Sequence, residues 1–201
     1  MAEDGYIKFN YDWAKEPIEV AQLPKLNRWR QKLYRLGLIG AFENGIGFGN
    51  LSVRLPGSNQ FVVSGSGTGR FASMKEGHYS KVVEFDVERN WLNCVGLVPA
   101  SSESLSHATI YAVDSAVNAV IHVHCRQMWE RLLGKIPETG KHADCGTPEL
   151  AEEIARLFKE TNVKERKIIV TAGHVDGILT FGKDLDEAGQ ILLEYFQGEN
   201  Q

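Results

Sequence analysis

Between residues 24 and 44 the hydrophobic positions recur at steps of three and four, the period of one face of an α-helix. The apolar positions of this stretch are Leu26, Trp29, Leu33 and Leu36. Charged side chains, among them Arg28 and Lys32, fall on other faces. The pattern predicts an amphipathic helix from Pro24 to about Asn44, ended by the glycines of residues 43–50.

Short apolar runs follow this helix, separated by turn residues. They predict strands at residues 51–55, 60–64, 81–86 and 91–96. Because the connections between these runs are short, we expect neighbouring strands to pair as an antiparallel meander.

The second half of the chain alternates helical and strand-like patterns. Helices are predicted at residues 101–113, 147–161 and 184–196, and strands at 118–124, 167–172 and 177–182. Thr147 before Pro148 is typical of an N-cap followed by the first residue of a helix. Together the elements predict one α+β domain at residues 24–201, with helices packed on a mainly antiparallel sheet. Residues 1–23 are interpreted as an N-terminal extension.

Composition and charge narrow the function classes. The chain has 201 residues, 43% of them hydrophobic and 24% charged, which is enough to build a full core. A net charge of −4, without a Lys/Arg cluster, argues against a nucleic-acid partner. No basic leader opens the sequence and no apolar run approaches the ~18 residues of a membrane span. Three cysteines without framework spacing favour a reducing compartment, and we expect a cytoplasmic protein without a membrane partner.

Two histidines interrupt the apolar run at residues 117–125. His122 and His124 would point to the same side of a strand, because strand side chains alternate with period two. Cys125 would then face the opposite side as a core thiol. The pair is either half of a metal site or one core histidine beside an exposed one. A third nitrogen is available from His174 in a glycine-flanked turn, and a carboxylate from Glu103 in the first turn of a predicted helix.

Three loops consist mainly of small residues, at 47–52, 64–69 and 99–104. Their backbone N–H groups and hydroxyls can converge on an anion, and Ser101 and Ser102 would lie at a helix N-terminus, where the potential is positive. A single loop of this kind is usually a plain turn. Three of them, one adjoining a candidate metal ligand, favour a phosphate pocket.

Taken together, these stretches resemble the class II aldolase/adducin family. The motifs that carry the resemblance are "GNLSVR" (49–54), "SGSG" (64–67), "PASSE" (99–103), "AVIHVH" (119–124), "GTPELA" (146–151) and "GHVDGILTFGKDLDEA" (173–188). The likeness spans about residues 24 to 197. It implies an α/β fold, a three-layer α/β/α domain around a mainly antiparallel sheet, and a homotetramer with active sites at subunit interfaces.

The resemblance also implies the roles of individual residues. His122, His124 and His174 match the family's metal-binding histidines, and Glu103 matches its metal ligand and acid/base. The residues that match its phosphate-binding loops are Asn50, Ser66, Gly67, Ser101 and Ser102. The implied cofactor is Zn²⁺, or another divalent metal such as Mn²⁺, Co²⁺ or Fe²⁺. The implied partner is a small phosphorylated sugar, a ketose cleaved through a metal-stabilised enediolate with Glu103 as proton shuttle.

The sequence departs from the family pattern after His124. Only residues 125–145 precede the "GTPEL" helix, and no residue there aligns with the family's second acid/base. The candidates by position are Arg126, Glu130, His142 and Asp144, each more typical of a solvated loop. Arg70, just beyond the glycine-rich loop, could contact phosphate or simply lie in water. His107, one helical turn from Glu103, could bond to that carboxylate or pack on the helix face.

Several activities remain open within this resemblance. An aldolase is favoured because Glu103 is kept beside the serine pair. Epimerisation, dehydration or decarboxylation of a sugar phosphate are alternatives from other branches. A non-catalytic, adducin-like interaction module is an alternative of another class, against which the retained histidines and Glu103 argue.

Overall fold

The computed structural model of the protein describes residues 6–198. Its strands are β1 (Asn10–Ala14), β2 (Gly40–Ala41), β3 (Gly47–Phe48), β4 (Asn50–Arg54), β5 (Phe61–Ser64), β6 (Tyr79–Asp86), β7 (Trp91–Gly96), β8 (Ala119–His124), β9 (Ile168–Val170) and β10 (Gly177–Gly182). Its helices are α1 (Leu23–Arg35), α2 (Ser104–Val113), α3 (Arg126–Leu132), α4 (Pro148–Glu160), α5 (Val163–Arg166) and α6 (Leu185–Gln197). Over the described range, no helix combines the length and apolar character needed to cross a bilayer.

The main sheet of the described chain has the strand order β1-β7-β6-β5-β4-β8-β10-β9. Its neighbouring pairs are antiparallel except β1 with β7. Strands β4 to β7 lie side by side, so the predicted meander is confirmed. The short strands β2 and β3 form a separate hairpin.

Helices cover both faces of this sheet. On one face Leu33 of α1 packs in a cluster that also contains Ile121 of β8. On the other face Ile154 of α4 packs in a second cluster with Val120 of the same strand. Because successive strand residues point to opposite faces, β8 contributes to both cores. The chain is therefore a single three-layer α/β domain, as predicted.

The first helix is shorter than predicted. It ends at Arg35, so the expectation that it continues to about Asn44 is wrong. Gly37 adopts φ 72°, a left-handed conformation that glycine tolerates without steric cost. The Leu38 amide donates to the Leu33 carbonyl at 3.0 Å, the 6→1 bond of a Schellman motif. This glycine, rather than those of residues 43–50, ends the helix.

The start of α2 also differs from the prediction. The helix begins at Ser104, and Glu103 occupies the N-cap position instead of the first turn. Ser101 and Ser102 lie in the turn before it, where the Glu103 amide donates to Ser101 Oγ at 3.3 Å. Both serines therefore stay next to the helix N-terminus.

Residues beyond the predicted elements add structure at two places. Residues 10–14 of the predicted N-terminal extension form β1, which pairs with β7 at the sheet edge. The boundary at residue 23 stays a prediction. Cys125 follows β8 as the N-cap residue of α3, so its predicted place on the strand is wrong. It is half-buried and packs against the cluster of Leu33 and Ile121, so its contact with the core is confirmed.

Candidate functional site

The two strand histidines lie side by side on one face of the sheet. His122 and His124 are 1% and 8% exposed, and their Nε2 atoms are 3.1 Å apart. β8 pairs with β4 on one side and β10 on the other, and His122 lies opposite Asn50 and Leu179. Backbone ladders on both sides therefore fix where the two rings point.

His174 reaches the same place from the turn between β9 and β10. Its ring centroid lies 5.2 Å from that of His122 and 4.7 Å from that of His124. One ring nitrogen from each of the three histidines lies within 4.8 Å of the others. Thr171 Oγ1 closes the turn by donating to the carbonyls of His174, at 2.9 Å, and Gly177, at 2.8 Å.

Glu103 approaches the histidines from the start of α2. It is 4% exposed, and its Oε1 lies 3.8 Å from His174 Nδ1. Ser106 Oγ donates to its Oε2 at 3.3 Å. A second group within 4.8 Å consists of Glu103, His174 and the buried Cys145. Sequence reasoning missed Cys145 at this site, because no local pattern connects it to residues 42 and 29 positions away.

The protonation state of His122 suits a cation. His122 Nδ1 lies 3.2 Å from the Ile178 carbonyl, which can only accept, so this nitrogen carries the proton. Nε2 then directs a lone pair toward His124. Burial lowers the pKa of His122 well below its usual value, and the nearby His124 and His174 lower it further. A neutral imidazole is the form that binds metal, so the residues present fit a divalent transition metal.

The five residues predicted to bind phosphate border the same cavity as the histidines. The cavity is lined by Gly47, Phe48, Gly49, Asn50, Gly65, Ser66, Gly67, Thr68, Gly69, Ser101, Ser102, Glu103, His122, His124 and His174. Asn50 Oδ1 is buried and makes no hydrogen bond within residues 6–198. Gly67 has φ 70°, which places the loop at 65–69 in a conformation that favours glycine. The structure thus brings all the predicted site residues together, while their roles stay predictions.

Other residues singled out in the sequence lie elsewhere. Arg70 is exposed and lines a neighbouring cavity of about 500 Å³, which shares Ser66, Gly67 and Thr68 with the first cavity. His107 Nδ1 bonds to Ser52 Oγ at 2.7 Å, and its Nε2 has no partner in the described chain. His107 therefore belongs to the packing between α2 and the sheet, and it does not bond to the Glu103 carboxylate.

The candidates for a second acid/base stay outside the cavity. Arg126 forms an ion pair with Asp176 at 2.8 Å and lies 3.9 Å from Glu130. Asp144 pairs with Lys8 at 2.6 Å. His142, the remaining candidate, is exposed. Within residues 6–198, none of the four lines the cavity, although Asp144 is close enough to His174 to interact with it electrostatically.

Comparisons with known proteins agree with this fold. A family model described as "Class II Aldolase and Adducin N-terminal domain" matches residues 28–129. A solved structure of L-fuculose 1-phosphate aldolase is 23% identical, with a TM-score of 0.65 over 92% of this chain and 89% of that one. A sugar-phosphate aldolase from Thermotoga maritima is 15% identical, with a TM-score of 0.66 over 89% and 92%. An l-fuculose-1-phosphate aldolase from Thermus thermophilus is 22% identical, with a TM-score of 0.53 over 89% and 97%.

At these identities the structural likeness shows a shared fold. No curated protein sequence matches the chain.

Proposed function

Because the chain belongs to the class II aldolase and adducin family, we propose that it is a metal-dependent lyase that cleaves a small phosphorylated ketose. One observation carries the proposal: three imidazoles and one carboxylate converge in a cavity that is also bordered by three loops of small residues. A module that only binds another protein has no need of such a set.

The donor set suits a transition metal. His122, His124 and His174 would supply three nitrogens and Glu103 an oxygen, a combination typical of catalytic Zn²⁺ sites and also acceptable to Mn²⁺, Co²⁺ or Fe²⁺. We favour Zn²⁺. When bound, such an ion acts as a Lewis acid that polarises a carbonyl oxygen of the substrate.

The remaining residues of the cavity would transfer protons and bind the phosphate group. Retro-aldol cleavage removes a proton from the hydroxyl that becomes the aldehyde and returns one to the carbon left behind. Glu103 is the carboxylate that borders the cavity and is the proposed group for this proton transfer. Asn50, Ser66, Gly67, Ser101 and Ser102 would hold the phosphate through amide, hydroxyl and backbone donors.

We further propose a cytoplasmic homotetramer with active sites at subunit interfaces, as the resemblance implies. Within residues 6–198 the candidates for a second acid/base lie outside the cavity, and Glu103 is the one carboxylate that lines it. An interface would let a neighbouring chain supply the second. The molar mass of the purified protein in solution, measured by light scattering, tests the tetramer.

The decisive experiment combines metal analysis with a substrate screen. The purified protein is expected to contain about one divalent ion per chain and to release dihydroxyacetone phosphate or an aldehyde from at least one ketose phosphate. Glu103→Gln should keep the metal, because the three imidazoles remain, and should abolish turnover. Glu160→Gln, which alters an exposed carboxylate on α4 outside the cavity, is the matched control and should change neither.

The outcomes separate the alternatives. Full turnover by Glu103→Gln would remove this residue from the mechanism. Metal without cleavage of any ketose phosphate would point to epimerisation, dehydration or decarboxylation. A chain that binds neither metal nor sugar phosphate would be an interaction module.

A further inference from the structure

A buried arginine lies directly behind the glycine-rich loop of the site. Arg30, on α1, is 1% exposed. Its Nη2 donates to the carbonyl oxygens of Gly69, at 2.6 Å, and Thr68, at 3.3 Å. Its Nη1 is buried and has no hydrogen-bond partner anywhere in residues 6–198. Arg30 thus connects the first helix to two peptide groups that border the cavity.

The charge of Arg30 has no counter-ion in the described chain. No carboxylate there lies within ion-pair distance of its guanidinium, whose other neighbours include the Tyr34 ring, 5.2 Å from Cζ, and Tyr79. Burial lowers the pKa of Arg30 to about 10, so the group stays cationic at neutral pH. Burying a charge without a counter-ion lowers the stability of a folded protein. A role in packing alone therefore does not explain an arginine at this position.

The loop that Arg30 contacts has backbone amides that make no hydrogen bond in the described chain. The Ser66 amide is used within the fold, donating to Pro99 at 2.8 Å. The amides of Gly67 and Gly69 make no hydrogen bond in the described chain, and both glycines line the cavity. The C=O and N–H of a trans peptide point in opposite directions. The Thr68 carbonyl accepts from Arg30 and, at 3.1 Å, from the Phe71 amide, so the Gly69 N–H points away from both donors.

Close packing leaves this loop little freedom on its other side. A Cβ on Gly69 would lie 2.3 Å from the Gly40 carbonyl oxygen and 2.8 Å from Gly47 Cα. The loop is thus fixed between the β2–β3 hairpin and a cation. A fixed loop with unused amides and a positive charge behind it is a favourable environment for an anion.

We propose that Arg30 is a positioning residue for the phosphate group: it orients the loop at 65–69, and its buried charge is neutralised when a phosphate binds there. The inference rests on the proposed function only in assigning phosphate to this loop. Arg30 touches the loop and not the substrate, so it acts through the Thr68 and Gly69 peptides.

The test measures binding of inorganic phosphate to the metal-loaded protein by calorimetry, with the metal content of each variant determined in parallel. Arg30→Met removes the charge and the fork of donors, and should weaken phosphate binding by about tenfold or more, the worth of one charge-assisted interaction. Arg30→Lys keeps the charge and should recover part of the affinity. With a turnover substrate, we expect the loss mainly in KM, since Glu103 and the histidines are untouched.

Arg54 provides the matched control. It is also an arginine that ties elements together through backbone carbonyls, donating to Val117 at 3.0 Å and to Asp114 at 3.1 Å, but it lies outside the cavity. Arg54→Met should lower stability without changing phosphate affinity. Arg30→Lys serves in place of Arg30→Met if the latter does not fold.

Three results would overturn the proposal. Unchanged phosphate affinity in both folded Arg30 variants would refute it while leaving the metal site and the cleavage activity intact. Equal losses of phosphate affinity in the Arg30 and Arg54 variants would show that Arg30 acts only by stabilising the fold. A wild-type protein that binds metal but no phosphate would refute the phosphate assignment itself, and the inference with it.

Discussion

His107 should make the protein markedly less stable in weak acid. Its ring is fully buried between α2 and the sheet, where Nδ1 bonds to Ser52 Oγ at 2.7 Å. Burial lowers the pKa of His107 from 6.5 to about 3. In the unfolded chain the ring is exposed and titrates near 6.5. Between these two values the unfolded state therefore binds one proton more than the folded state, so stability must fall as the pH drops below 6.5.

The size of the loss follows from the two pKa values of His107. Between pH 6.5 and pH 5, a span of about 1.5 pH units, protonation of the exposed ring stabilises the unfolded state relative to the folded state. Each pH unit lowers the free energy of unfolding by about 1.36 kcal/mol per proton. The native state should thus lose about 2 kcal/mol at pH 5 relative to pH 8 from this residue alone, rising toward about 5 kcal/mol near pH 3. Such a loss is a large fraction of the ~5–15 kcal/mol that holds a typical domain folded.

The measurement is urea unfolding of the wild type and of His107→Gln at about pH 8 and pH 5. The Gln amide can either donate to or accept from Ser52 Oγ, and it carries no titrating group. Acid release of a bound cation affects both proteins, so the difference between their pH dependences isolates His107. His142→Gln, which removes an exposed histidine, is the matched control and should behave like the wild type. If His107→Gln loses as much stability on acidification as the wild type, the burial argument is wrong.

Two further changes test the loop and a helix end. Gly69→Ala should weaken phosphate binding and destabilise the fold by about 1–3 kcal/mol, because the new methyl group would lie 2.3 Å from the Gly40 carbonyl oxygen. A variant with the urea midpoint and the phosphate affinity of the wild type would show that the loop is not closely packed at this position. Asp184→Ala should cost about 1 kcal/mol, because the Asp184 side chain caps α6 by accepting from the amides of Asp186 and Glu187, both at 2.9 Å. Its metal content should be unchanged, and a loss of metal would show that α6 supports the site.

Local periodicity predicted most of the fold. The strand patterns at 91–96 and 177–182 coincide with β7 and β10, and α4 begins at Pro148 after Thr147 as expected. The prediction failed where a single backbone conformation overrides a continuing apolar pattern. Gly37 ends α1 although the apolar positions run on to Leu38 and Ile39, both of which are buried. A sequence pattern shows which residues are buried, but not whether a helix or a following loop buries them.

The sequence predicts those site residues whose contacts follow from a local pattern, and it does not predict those that meet only through the tertiary fold. His122 and His124 are two residues apart on a strand, and the alternation rule alone places them on one face. Arg30 and Cys145 have no site residue close to them in the sequence from which their position could be predicted. Arg30 reaches the loop at 65–69 only because α1 packs across it, and Cys145 meets Glu103 and His174 only through the loop before α4. Nothing near either residue in sequence predicts these contacts, so only the folded structure reveals them.

The arrangement of the donors suggests how the site can combine rigidity with proton transfer. The imidazoles of His122 and His124 are carried by a strand paired on both sides, and His174 by a tight turn that Thr171 closes. Glu103 instead stands at the N-cap of a helix, outside the strand ladders. A cation held by the three rings would keep its place if the carboxylate moved away to accept a proton. The expected result that Glu103→Gln keeps its metal but loses turnover follows from this division, and loss of metal in that variant would show that the three rings alone do not hold it.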